Sequence, residues 1–152
     1  MLRKSDVKCG DAAGNQMKKH RTYLDTGVLI TAHQGTAEIA DRAFKLIDDS
    51  DRCFVASEFL KLELLPKCIY FKNHSETQFY QTFFEAVDEW IPNCQAAIQP
   101  ALDFATDYGL SAMDALHVAS AYLLDAQLVS TEKKTKPMYR VDEIRVISLY
   151  DI

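Results

Sequence analysis

The sequence has no long hydrophobic run: no stretch approaches the ~20 apolar residues needed to span a bilayer. It has only five glycines and four prolines, which sets it apart from fibrous and low-complexity chains. Cys9, Cys53, Cys68 and Cys94 are far apart, with no C-x-x-C pair and no nearby histidine at metal spacing. That dispersion fits free thiols in a reducing cytoplasm. A basic excess is also missing. The formal net charge of −5 argues against a general nucleic-acid coat protein but leaves room for a local basic groove. The opening MLRKSDVKCGDAAGNQMKKH carries charge without a hydrophobic centre and does not read as a secretory leader.

What is present is ordinary globular composition, with 152 residues of which 48% are hydrophobic and 26% charged. One domain is expected, large enough to bury roughly 68–70% of its unfolded surface. Residues 1–20 are polar and aperiodic, so a flexible extension is expected there, with Met17 of MKKHRTYLDTGVLI resembling a chain start. The remaining 21–152 carry 12 basic and 20 acidic residues, a net of −8.

Along that body, short apolar runs alternate with helical patterns. Strands are expected at TYL before Asp25, CFVA (53–56), EWIP (89–92), QLVS (127–130) and RVISL (145–149). Helices are expected at 36–49, 57–72, 75–88, 95–107 and 111–125. Phe79, Phe83, Val87 and Trp90 recur at helical spacing and read as a core or dimer stripe. The alternation implies an α/β fold: a mainly parallel sheet of about five strands with helices on both faces. Ligands of such sheets bind outside the carboxyl ends of the strands, at the switch in strand order.

Four acids fall at those ends. Asp25 follows the first strand and by itself reads as a helix cap, helped by Thr26 and Gly27. Glu63 lies in SEFLKLELLPK; with Ser57 as N-cap it falls on the apolar face, though an i,i+4 pair with Lys67 also accounts for it. Pro66 is expected to end or kink that helix. Asp114 lies in GLSAMDALHVASAYLL, where Ser111 and Asp114 resemble a capping box. The ten residues after it hold no charge except what His117 takes, so the helix is packed on most sides and its acid needs a partner. Glu132, in LVSTEKKTK, by itself reads as a solvated loop residue. Converging carboxylates repel unless a cation neutralises them. Oxygen-only ligation suits Mg²⁺ or Mn²⁺, and such a site supports phosphodiester hydrolysis by metal-activated water.

These segments resemble the motifs of PIN-domain ribonucleases, especially the toxins of VapBC toxin–antitoxin pairs. YLDTGVLI resembles the first motif, VASEFLKLELL the second, GLSAMDALHVASA the third, and LVSTEKK stands at the family's LxTxD segment. The resemblance runs over about 21–150 and implies a PIN domain at 21–152 after the extension at 1–20. It implies catalytic Asp25, Glu63, Asp114 and Glu132, of which Asp25, Glu63 and Asp114 would bind Mg²⁺ or Mn²⁺. Glu132 departs from the family's aspartate by one methylene. Thr26, Ser57 and Ser130 match supporting polar positions, and His117 is assigned a structural role. Lys133, Lys134, Lys136 and Arg140 are the candidates for contacting the RNA backbone. The implied partners are single-stranded RNA, a cognate antitoxin reaching Leu64, Leu65, Ile69, Tyr70 and Phe71, and a second copy in a homodimer. A PIN nuclease of RNA processing, a catalytically silent PIN-fold binding module and a phospho-receiver domain are the alternatives.

Overall fold

The computed structural model describes residues 18–152. The expected extension, Cys9 and the chain start at Met17 lie outside the described residues, apart from 18–20. Five strands build one sheet: β1 (His20–Leu24), β2 (Arg52–Ala56), β3 (Glu89–Trp90), β4 (Gln127–Ser130) and β5 (Val146–Ser148). Their order is β3-β2-β1-β4-β5, and every pairing is parallel. Tyr23 lies opposite Val55 on one side and Leu128 on the other. Near-continuous apolar runs suit strands covered on both faces.

Six α-helices are described: α1 (Thr26–Gln34), α2 (Ala37–Ile47), α3 (Glu58–Tyr70), α4 (His74–Ala86), α5 (Ile98–Tyr108) and α6 (Ala112–Leu123). The helical patterns at 36–49, 57–72, 75–88, 95–107 and 111–125 correspond to α2 through α6, with ends shifted by a few residues. The pattern at 95–107 begins as a 3-10 turn, Cys94–Ala97, before α5, and Gly109 ends α5 in the left-handed conformation at φ 73°. Missing from those patterns is α1. Its nine residues bury Val28, Leu29 and Ala32, too brief a stripe to establish a period. Gly27 is needed there by contact, because a Cβ would lie 2.2 Å from Thr131 Oγ1 after β4.

Pro66 neither ends nor visibly divides its helix, which continues to Tyr70. Proline removes the hydrogen bond to the carbonyl of Leu62, and both residues are exposed, so water can satisfy that oxygen. The expected stripe is not one helical face: Phe79 and Phe83 lie on α4, Val87 caps it and Trp90 belongs to β3, though Phe83 is buried and the other three pack against the core. On α6, Ala115, Ala119 and Ala121 are buried with His117, Val118 and Ser120. Small side chains there let the helix lie close to its neighbours.

Cys68 and Cys94 are free, as the dispersed spacing suggests. Cys53 is not: it is disulfide-bonded, so the expectation of four free thiols fails. No helix among the described residues is long and apolar enough to cross a membrane.

From β1 the chain moves outward through β2 and β3, then returns to β4 on the other side of β1. The switch in strand order therefore lies between β1 and β4. Their carboxyl ends deliver Asp25 and the segment from Ser130 to Glu132 to one place.

Candidate active site

The backbone N–H of Asp25 donates to Val129 O at 2.9 Å, tying the end of β1 to β4. The Asp25 carboxylate is 6% exposed and caps α1. Its Oδ1 accepts the Thr26 N–H at 2.8 Å, and its Oδ2 accepts the Ser130 hydroxyl at 2.9 Å. Burial raises the Asp25 pKa above its ordinary value. The charge of His117 and the bonds from Ser130 and Thr26 oppose that rise, while the Asp114 carboxylate adds to it. Asp114 is therefore within electrostatic reach. It stands in the first turn of α6, where the Ser111 hydroxyl accepts its N–H at 3.4 Å. Among the described residues, neither Asp25 nor Asp114 pairs with a lysine or arginine.

Glu63 reaches the same region from α3. Its partner is not Lys67 but His117, whose Nε2 lies 2.6 Å from Glu63 Oε2. That bond comes first in lowering the Glu63 pKa; burial opposes it, and the His117 charge and the Thr26 hydroxyl assist. The second ring nitrogen of His117, Nδ1, lies 2.8 Å from the Tyr23 hydroxyl. Tyr23 Oη in turn lies 2.7 Å from Ser57 Oγ. Ser57 takes the N-cap position of α3, yet its hydroxyl makes no capping bond and is directed at Tyr23. Burial drives the Tyr23 phenol pKa far upward, so the group keeps its proton.

Sequence reasoning passed over Tyr23 and assigned His117 only to structure. A histidine on an otherwise uncharged, buried helix needs polar partners for both nitrogens, and that requirement was the available clue. Which residues would supply them is set by three elements meeting.

Glu132 is arranged differently. Its N–H donates to Ser130 Oγ at 3.0 Å, its carbonyl accepts the Tyr139 hydroxyl at 2.9 Å, and its carboxylate faces Lys136 at 3.9 Å. Lys134 pairs with Asp151. Lys133 and Arg140 are exposed and have no ion pair among the described residues.

Among the described residues, no three His, Cys, Asp or Glu side chains are gathered closely enough to hold a metal ion by themselves. The donor chemistry nevertheless fits a hard divalent cation. A buried carboxylate and a second one within electrostatic reach offer only oxygen, have no lysine or arginine paired to them among the described residues, and match Mg²⁺, which uses one or two carboxylates and keeps several waters. Beside the acids, α1, α3 and α4 enclose a cavity of about 280 Å³ that includes Ile30, Leu64, Phe71, Tyr80 and Glu63. Ile69, Tyr70 and Phe71 are exposed, and of these Phe71 lines the cavity, whereas Leu64 is core at 4% exposure and cannot serve as open surface.

The chain shares its fold with solved toxin–antitoxin structures. VapBC2 from Rickettsia felis bound to promoter DNA matches with a TM-score of 0.65 at 14% identity, over 84% of this chain and 98% of that one. A toxin–antitoxin complex from Klebsiella pneumoniae matches with a TM-score of 0.65 at 19% identity, over 86% and 99%. VapBC-1 from nontypeable Haemophilus influenzae matches with a TM-score of 0.64 at 18% identity, over 86% and 98%. No curated protein matches at significant sequence similarity. The sequence itself matches the PIN domain over residues 22–144, which takes in all four acids and most of the sheet, and the chain belongs to the PIN-domain family.

Proposed function

We propose that this chain is a metal-dependent endoribonuclease acting on single-stranded RNA as the toxin of a toxin–antitoxin pair. The observation that carries the nuclease reading is the Asp25–Asp114 pair: a carboxylate whose pKa is raised first by burial and further by the second acid, with no lysine or arginine paired to either among the described residues. Asp25, Asp114 and Glu63 would hold Mg²⁺ or Mn²⁺. A divalent ion so bound supplies a hydroxide nucleophile and stabilises the leaving oxygen of a phosphodiester. Thr26 N–H and the Ser130 hydroxyl fix the orientation of Asp25. Lys133 and Arg140 are available for RNA phosphates, while Lys134 and Lys136 would exchange Asp151 and Glu132 for them. Glu132, half exposed beside Lys136, is the fourth acid of the proposal and the weakest contributor.

The partner reading rests on the solved relatives, which are toxin–antitoxin complexes. The cavity lined in part by Ile30 and exposed Phe71 suits an apolar peptide segment, and a basic side chain from it would complement the acids. A homodimer belongs to the same proposal. The test is single-stranded RNA cleavage with Mg²⁺ or Mn²⁺, with EDTA as control, beside expression in cells with and without the adjacent gene. Cleavage that survives EDTA sinks the metal site. No cleavage by folded, metal-loaded protein favours a silent binding module, and harmless expression of an active nuclease favours RNA processing.

A further inference from the structure

We infer that His117, backed by Tyr23 and Ser57, is a positioning residue that holds the Glu63 carboxylate in one orientation for the divalent ion of the proposed nuclease. The inference rests on the nuclease reading. Glu63 is mounted on a surface helix and its side chain is 32% exposed, so left alone it would sample several rotamers. Its anchor is buried: His117, Tyr23 and Ser57 are each no more than 1% exposed. Both ring nitrogens of His117 are engaged, at 2.6 Å to Glu63 and 2.8 Å to Tyr23. An ionised carboxylate only accepts, so Nε2 is the donor. The Tyr23 hydroxyl lies between His117 Nδ1 at 2.8 Å and Ser57 Oγ at 2.7 Å.

The chain of bonds crosses β1, the β2–α3 junction and α6, the same elements that deliver Asp25, Glu63 and Asp114. It therefore links the placement of Glu63 to that of the other two acids. A histidine serving only to fill the core would have no need of a carboxylate partner, since an apolar side chain fills space without desolvating a ring. Ligating carboxylates are themselves held by outer hydrogen bonds, and removing such a bond costs about 10–100-fold in metal affinity or activity.

The experiment uses the full chain, with Mn²⁺ affinity from the EPR signal of the free ion and RNA cleavage kinetics. His117→Asn, too short to reach Glu63, is expected to weaken Mn²⁺ binding by about 10–100-fold and to lower kcat. His117→Gln, whose amide N–H reaches close to the place of Nε2, is expected to restore most of both. Tyr23→Phe, which deletes one oxygen from the relay, should produce a smaller loss in the same direction. In a Glu63→Gln background, His117→Asn should add nothing further, because the two act as one unit. The inference is overturned if Mn²⁺ affinity and kcat of folded His117→Asn and Tyr23→Phe stay within about twofold of wild type. It is equally overturned if Gln and Asn at 117 lose both in proportion to lost melting temperature. Should His117→Asn fail to fold, Tyr23→Phe decides by the same criterion. A wild-type chain that binds no Mn²⁺ overturns the nuclease reading and this one together; a wild type that binds, with unaffected variants, overturns this one alone.

Discussion

Asp25 and Glu132 both approach Ser130 Oγ, Asp25 as a carboxylate accepting its proton at 2.9 Å and Glu132 through an N–H donated to it at 3.0 Å. One hydroxyl thus serves two acids from adjacent strand ends, yet their surroundings differ. Asp25 is 6% exposed, with its pKa raised by burial. The Glu132 side chain is 43% exposed and faces Lys136. The difference is made by what covers each strand end. Asp25 opens α1, which packs down beside β4 with Gly27 against Thr131. Glu132 opens a solvent-facing loop rich in lysine. Position at a strand end does not by itself decide whether a carboxylate is buried or solvated.

The largest effect that would break this contrast comes from Asp25 and Asp114. Asp25→Asn and Asp114→Asn are each expected to lower metal-dependent cleavage at least about a hundredfold. Metal-free stability should hold or rise. The sign follows from burial: the folded-state pKa of Asp25 is raised above its ordinary value of 3.8, so its contribution is favourable below that value and is lost as pH rises through the folded value. At neutral pH the ionised group therefore opposes folding, and Asn relieves it. Parallel melting and cleavage curves check both halves; a wild-type cleavage rate in either variant would end the assignment.

Ser130→Ala comes next, because it removes the hydroxyl both acids use. A bond to a charged group is worth about 1.5–3 kcal/mol, and denaturant unfolding should register a loss of that order. If stability is unchanged while cleavage falls, Ser130 orients Asp25 without holding the strand ends together.

A smaller effect is expected at the loop. Lys133→Ala and Arg140→Ala should each weaken RNA binding at every sequence tested and reduce the salt-dependence slope by about one. A change confined to one RNA sequence would point to base contact instead.

The smallest concerns Glu132→Gln. Its exposed pair with Lys136 is of the kind worth about 0–1 kcal/mol, so melting should barely move and cleavage should fall far less than in Asp25→Asn. A loss as large as that of Asp25→Asn would put Glu132 among the ligands and erase the contrast drawn above.

Much of the fold was legible because its causes are local. Runs such as CFVA and QLVS in alternation with amphipathic segments require a parallel α/β sheet, and the observed β4 begins and ends where QLVS does. Asp25 as a cap and Ser111 as the N-cap before Asp114 are likewise written in neighbouring residues. What escaped was set by contact or by exposure. Helix α1 is too brief to show a period, and Pro66 is tolerated only because its face meets water.

The sequence by itself determined the strands, most of the helices and the acids at the carboxyl ends, since period, capping and turn chemistry act over a few residues. Only the tertiary structure decided which acid is buried, which is solvated, and that Glu63 belongs to His117 rather than to Lys67. Those outcomes depend on desolvation and on hydrogen bonds between residues 34 to 105 positions apart, and such proximity exists only once the sheet has brought the strand ends together.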